Sequence, residues 1–285
     1  MSNEINNLKS HSGTTLVLGG TGKTGRRVAE RLVNRGVETR IASRSANPAF
    51  DWNDQGGWRA VLEGVDAVYI SYAPDLAIPG ATDAVRDFIA LAVEQGVQRL
   101  VLLSGRGEEE AQQCERIVQE AGVEWSVVRA SWFNQNFSEG EFLGMVMDGA
   151  ITLPAGDVPE PFVDIDDIAD VAVAALTEDG HNGEIYEVTG PRMLTFTEVA
   201  QEISRAASRE VQFIQIPKEA FAGAIAESGA PDDIAWLLNY LFETVLDGRN
   251  AYVCDGVQRA LGREPTDFAD YANRIAASGV WKVAA

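Results

Sequence analysis

A chain of 285 residues is long enough for one large domain, or for a domain with a smaller lobe, and its 46% hydrophobic content is that of an ordinary globular protein with no apolar run of membrane-spanning length. Its net charge of −20 argues against nucleic acid and against an anionic membrane surface as partners, because each demands a basic face. Two cysteines (Cys114 and Cys254) at no metal or redox spacing, and two histidines (His11 and His181), argue against a zinc site and against a histidine-based triad.

Residues 1–13 are polar and lack the apolar core of a signal peptide, so a frayed tail and a cytoplasmic location are expected. Thr14 to Leu18 is a β-prone apolar run without charge, which suits a strand covered on both faces. Gly19, Gly22 and Gly25 follow at intervals of three, and Val28, Ala29 and Leu32 then recur at helical spacing. A glycine loop between a strand and a helix lets backbone N–H groups approach a pyrophosphate, and the helix N-terminus adds a favourable partial charge. In that scheme Gly19 or Gly20 makes the turn, Gly22 admits the phosphates and Gly25 lets the helix pack on the strand, with Thr21, Lys23 and Thr24 around them. A nucleoside-triphosphate loop would need a glycine five residues before Gly22, where Val17 stands inside the strand.

Val37 to Ser45 reads as the second strand, with loop chemistry starting near Ser45 and Pro48. At its end, where an NAD enzyme presents an acid to the ribose 2′-hydroxyl, this chain presents Ser43, Arg44 and Ser45. A guanidinium flanked by hydroxyls suits a 2′-phosphate, so NADP(H) is expected, with Lys23 as a second cation for the same phosphate. The alternative for Arg44 is a solvated strand-end charge. Phe50-Asp51-Trp52 reads as a short third strand, with Asp51 and Trp52 bordering the adenine or, for Trp52, simply packing. Trp58 to Leu62 is a helical turn, and Val65 to Ser71 is the fourth strand. Its carboxyl end places Ser71, Tyr72 and Ala73 beside the cofactor.

Ala81 to Glu94 is an amphipathic helix, Gln98 to Gly105 the fifth strand, Glu108 to Glu120 a polar helix and Trp125 to Ser131 the sixth strand. This alternation marks an α/β fold, a doubly wound parallel sheet of Rossmann type. Trp132, Phe133 and Asn136 then form a substrate-pocket wall or, alternatively, a hydrophobic plug. Pro161 to Ile165 re-enters the sheet region, Asp166 or Asp167 caps a helix to about Leu176, and Glu184 to Thr189 is a further strand. Thr195 and Glu198 form a capping box, Val211 to Ile216 a half-buried strand, and the chain beyond Lys218 is mostly helical. The expected division is a dinucleotide-binding domain at 14–131 completed by 162–190, and a smaller substrate-side lobe at 132–161 and 191–285.

From Thr14 to Ile216 the chain resembles the NmrA-like group of atypical short-chain dehydrogenase/reductases. The resemblance rests on the loop from Gly19 to Gly25, Ser43-Arg44, Leu103-Ser104 and the Trp132-Phe133-x-x-Asn136-Phe137 segment. Within the group, Ala42-Ser43-Arg44-Ser45 paired with Phe50-Asp51-Trp52 is similar to the festuclavine and agroclavine dehydrogenases, which implies reduction of an iminium with NADPH. The chain departs from the wider superfamily in one respect: between Ser104 and Ser131 it has neither the tyrosine nor the lysine of the usual Tyr-x-x-x-Lys acid. A reaction that needs only hydride survives that loss, and Tyr72 or Ser104 is the candidate relay where a proton is needed. The expected function is therefore an NADPH-dependent reductase of a small apolar imine, activated alkene or quinone. The alternative is a non-catalytic NADP(H)-binding sensor.

Overall fold

The computed structural model describes residues 13–283. All of the N-terminal tail except Gly13, with His11, lies outside the described residues. The strands are β1 (Thr14–Leu18), β2 (Thr39–Ala42), β3 (Val65–Ile70), β4 (Arg99–Gly105), β5 (Glu124–Ala130), β6 (Ala150–Leu153), β7 (Glu184–Val188) and β8 (Gln212–Gln215). Six of them make one parallel sheet in the order β2-β1-β3-β4-β5-β7, and β6 pairs with β8 in a separate parallel pair. The order reverses between β1 and β3. That switch point opens a crevice at the carboxyl ends of the strands.

The crossovers are helical, as parallel neighbours require. α1 (Lys23–Asn34), α2 (Trp58–Leu62), α3 (Ala81–Glu94), α4 (Glu109–Gln119), α5 (Leu143–Asp148), α6 (Ile165–Thr177) and α7 (Phe196–Ala207) are followed by α8 (Lys218–Glu227), α9 (Asp232–Tyr240), α10 (Gly256–Leu261) and α11 (Phe268–Ser278). One face of the sheet is covered by α1 and α6, through Val28, Leu32, Ile168 and Ala172. The other is covered by α2, α3 and α4, through Trp58, Val85, Phe88 and Val118. A third cluster gathers Phe137, Phe142, Phe162, Phe196, Phe242 and Phe268 from the segment after β5 and from the C-terminal helices. Each such buried ring contributes about 2 kcal/mol of transfer free energy. Among the described residues no helix is long and apolar enough to cross a membrane.

Several local expectations hold and others are corrected. The capping box is present as read: Glu198 N–H donates to Thr195 Oγ1 at 3.2 Å and Thr195 N–H to Glu198 Oε2 at 2.8 Å. The cap of α6 is Asp164, which accepts from Asp166 N–H at 2.9 Å; Asp166 and Asp167 are already inside the helix. Pro161 to Ile165 makes only an isolated bridge, Phe133 with Val163. Phe50-Asp51-Trp52 is not a strand of the sheet. Its aromatics are β-prone, but Phe50 and Trp52 are drawn into a cluster with Trp58 and Phe88, ring centroids 5.4–6.1 Å apart. Asp51 closes a turn instead, its Oδ1 accepting from Asn53 N–H at 2.9 Å. The strand read as fourth is therefore β3, and it lies directly against β1.

Candidate cofactor and substrate site

A cavity of about 940 Å³ runs along the carboxyl ends of the sheet, within the range of small-molecule and cofactor pockets. The glycine loop forms its floor on the β1 side. Gly19 takes φ +63°, a left-handed turn that costs glycine nothing. Gly22 caps α1 with no side chain over the helix end and no acid in the first turn, which leaves N–H groups and the positive end of the dipole free for an anion. Gly19, Thr21, Gly22, Lys23 and Thr24 all line the cavity. Gly25 does not; a Cβ there would lie 2.2 Å from the Gly19 carbonyl oxygen, so its role is to let α1 sit against the loop.

Past β2, Ser43 and Arg44 line the same cavity, and Ser43 Oγ lies 3.3 Å from Ser45 Oγ. Arg44 is exposed, and among the described residues it has no ion-pair partner. Lys23 does not join it: its Nζ donates to Asn136 Oδ1 at 3.1 Å and pairs with Glu141 at 3.2 Å. The second cation expected for a 2′-phosphate is thus committed to the segment after β5. Asp51 and Trp52 border the cavity, and Trp52 also packs in the cluster with Trp58 and Phe88. Trp52 Nε1 donates to the Ser71 carbonyl at 3.3 Å, and its ring lies 4.7 Å from that of Tyr72. Ser71, Tyr72 and Ala73 line the cavity at the end of β3. Partial burial raises the Tyr72 hydroxyl above its ordinary value, with Cys114 adding to the effect.

At the end of β4, Ser104 reaches the cavity, but its hydroxyl donates to Glu115 Oε1 at 2.6 Å. Glu115 in turn is held by Arg129 of β5 at 2.5 Å, and Arg129 also pairs with Glu187 of β7 at 2.6 Å. An ion-pair chain therefore links α4, β5 and β7 behind Ser104. Glu115 and Glu187 keep the Arg129 guanidinium charged despite burial. Trp132, Phe133 and Asn136 line the cavity beyond β5. Trp132 also stacks on Phe142 at 6.3 Å and meets Phe242 at 5.2 Å, so the wall is also the edge of the third core cluster.

Several lining residues carried no sequence signal of a site; for Ile234 and Leu241 the sequence offers only helical spacing. Ile234 of α9, with Leu241 and Val245 of the π-helical turn after it, adds an apolar surface. Asp75 after β3 and Glu108 after β4 bring two carboxyl groups to the cavity. Glu108 opens a run of three glutamates that reads as a solvated helix start, yet it is only 6% exposed. Cys114 is buried and Cys254 half-buried, and burial pushes each thiol up to about 11. His181 is buried and bonded to the Tyr186 hydroxyl at 2.7 Å, and it does not line the cavity. Among the described residues no group of three or more His, Cys, Asp or Glu side chains is arranged to hold a metal ion.

A switch-point crevice floored by a glycine loop and an uncapped helix end defines a dinucleotide-binding α/β protein. The profile of the NmrA-like family matches residues 11–272. The chain belongs to that family. It is 32% identical over 273 residues to the uncharacterized oxidoreductase YesF of Bacillus subtilis, covering 92% of this chain and 95% of that one. It is 31% identical to the agroclavine dehydrogenase of Claviceps fusiformis, covering 91% and 96%. The crystal structure of the Escherichia coli NADPH-dependent quinone oxidoreductase QOR2, complexed with NADPH, superposes with a TM-score of 0.77 at 20% identity, over 92% of this chain and 99% of that one. At that identity the likeness speaks for the fold.

Proposed function

We propose that this protein is an NADPH-dependent reductase that delivers hydride to a small apolar imine, iminium, activated alkene or quinone without a Tyr-Lys acid. The coarser statement, an NAD(P)H-dependent oxidoreductase, is supported by family membership and by near full-length relatives named as oxidoreductases and dehydrogenases. The observation that carries the finer reading is the continuity of the cavity: Arg44 and the glycine loop at one end, Trp132, Phe133 and Leu241 at the other. The dinucleotide supplies the hydride when bound. The backbone around Gly19 to Gly22 holds its pyrophosphate, and Ser43 and Arg44 hold the 2′-phosphate. Asp51 and Trp52 border the adenine, and Ser71, Tyr72, Ala73 and Ser104 flank the rest. Trp132, Phe133 and Asn136 hold and orient the acceptor, in a lobe made from residues 132–161 and 191–285, and exclude water around it.

Mixing purified protein with NADPH and a panel of quinones, cyclic iminium salts and enones tests this by loss of the reduced-nicotinamide absorbance. Turnover with at least one acceptor is expected, and turnover with none overturns it. The absence of tyrosine and lysine between Ser104 and Ser131 favours the sensor as the second reading. Calorimetry separates the two, because a sensor binds one redox form selectively and oxidises nothing.

A further inference from the structure

The ends of β3 and β4 place two carboxyl groups side by side at the cavity wall. Asp75 lies in the loop after β3, and Glu108 lies just past β4, at the residue that precedes α4. The two are within hydrogen-bonding reach of each other. Ionised carboxylates are acceptors only, so such a pair holds together by sharing a proton. The seat is tight. A Cβ at Gly105 would lie 2.4 Å from Glu108 Oε1, and Glu108 Oε2 has no hydrogen-bond partner among the described residues. Asp75 Oδ1 accepts from Ala77 N–H at 2.8 Å.

The nearest side chains around the pair are mostly acidic, and the guanidinium nearest in space, Arg249, is paired with Asp247 while donating to the Gly107 carbonyl at 3.1 Å. Glu110, Cys114 and Glu115 face it from α4, and Tyr240 faces it from α9 while donating to Glu110 at 3.0 Å. Arg106, the neighbouring guanidinium in the chain, is turned to the carbonyls of Asn250 and Tyr252. Burial first, and then each other's charge, push Glu108 well above the ordinary carboxylate range; burial raises Asp75 as well.

We propose that Asp75 and Glu108 are the general acid of this reductase, a carboxyl pair whose shared proton goes to the acceptor atom that gains a lone pair as hydride arrives. The inference rests on the reductase reading above. Hydride with its two electrons passes to the acceptor, and the nicotinamide is oxidised. The pair's O–H bond breaks, a bond forms from the proton to the quinone oxygen, and the pair stays dianionic until it regains a proton from water. The acidic surroundings make that dianion costly, which favours the protonated pair and reserves its proton for a strongly basic partner. Ser104, whose own proton is directed to Glu115, is replaced in this role.

Two acceptors separate the idea from a structural role. A neutral quinone needs the proton; an N-methyl iminium salt, already cationic, needs only hydride. Glu108→Gln and Asp75→Asn should each lower kcat on the quinone about 100-fold, with the iminium rate and NADPH affinity near wild type. Infrared difference spectra of the unliganded protein at neutral pH should show a carboxylic-acid carbonyl band that Glu108→Gln removes. Equal losses on both acceptors, or no loss on the quinone, overturn the proposal, as does absence of the acid band. If the wild-type protein leaves NADPH unoxidised with every acceptor of the panel, the reductase reading fails and the acid falls with it. The infrared band still reports, separately, whether the pair holds a proton.

Discussion

At the β1–β2 end of the cavity, the lining groups are a glycine loop, one helix terminus and an exposed guanidinium on a strand end. Behind its β4–β5 end lie buried carboxylates and an arginine that depend on each other: Glu115 is 2% exposed beneath Arg129, which also pairs with Glu187. The first end costs the fold little, because its donors are orphans of a helix terminus in any case. The second is expensive, since each buried charge is tolerable only while its partner remains. Substitutions at the far end should therefore damage stability, and substitutions at the near end should damage only recognition.

The largest effect is expected from Arg129→Met. It strands Glu115 and unpairs Glu187, and should cost 3–5 kcal/mol in a urea titration, on the order of other broken buried pairs. Adding Glu115→Gln should recover part of that loss. A single variant that costs under about 1 kcal/mol, in the range of surface pairs, would erase the contrast between the two ends.

Next comes a pH dependence. Burial pushes Glu160 from an ordinary 4.5 up to about 7, against the opposing influence of Arg106 and the Ser131 hydroxyl. The folded state then binds a proton more tightly than the unfolded state. Its contribution is complete below the unfolded value and is lost as pH rises through the folded one. The loss is about 3 kcal/mol between pH 4.5 and 8. Denaturation midpoints across that range should fall in the wild type and fall less in Glu160→Gln. Parallel curves would show that Glu160 ionises normally.

The smallest effect falls at the near end. Arg44→Ala removes charge-assisted hydrogen bonds from an exposed residue and should raise KM for NADPH by about 10–100-fold. KM for NADH and the melting temperature should barely move. Equal losses for both cofactors would place the 2′-phosphate elsewhere.

Legibility in the sequence follows the same division. Gly19, Gly22 and Gly25 act over a single turn, so spacing alone exposed them. The alternation of apolar runs with helical periodicity carried the class of sheet and, Phe50 to Trp52 apart, its strands in chain order as far as β5, and the Thr195–Glu198 cap is a four-residue affair. Phe50 to Trp52 misled because strand propensity measures fit to a pleated, half-buried surface. Those rings found a better surface among Trp58 and Phe88. The cap of α6 was misplaced because Asp164, Asp166 and Asp167 are chemically alike, and only the backbone at Asp164 is extended.

By itself, then, the sequence determined the dinucleotide loop, the class of sheet and the missing tyrosine and lysine, all encoded within a few residues of one another. Tertiary structure alone decided that Lys23 turns to Asn136 and Glu141, that Ser104 is bound to Glu115, and that Asp75 meets Glu108. Those partners are far apart along the chain, and a carboxylate's burial depends on what the fold lays over it. A glutamate run that local composition reads as solvated surface can therefore end with one member in the wall of the site.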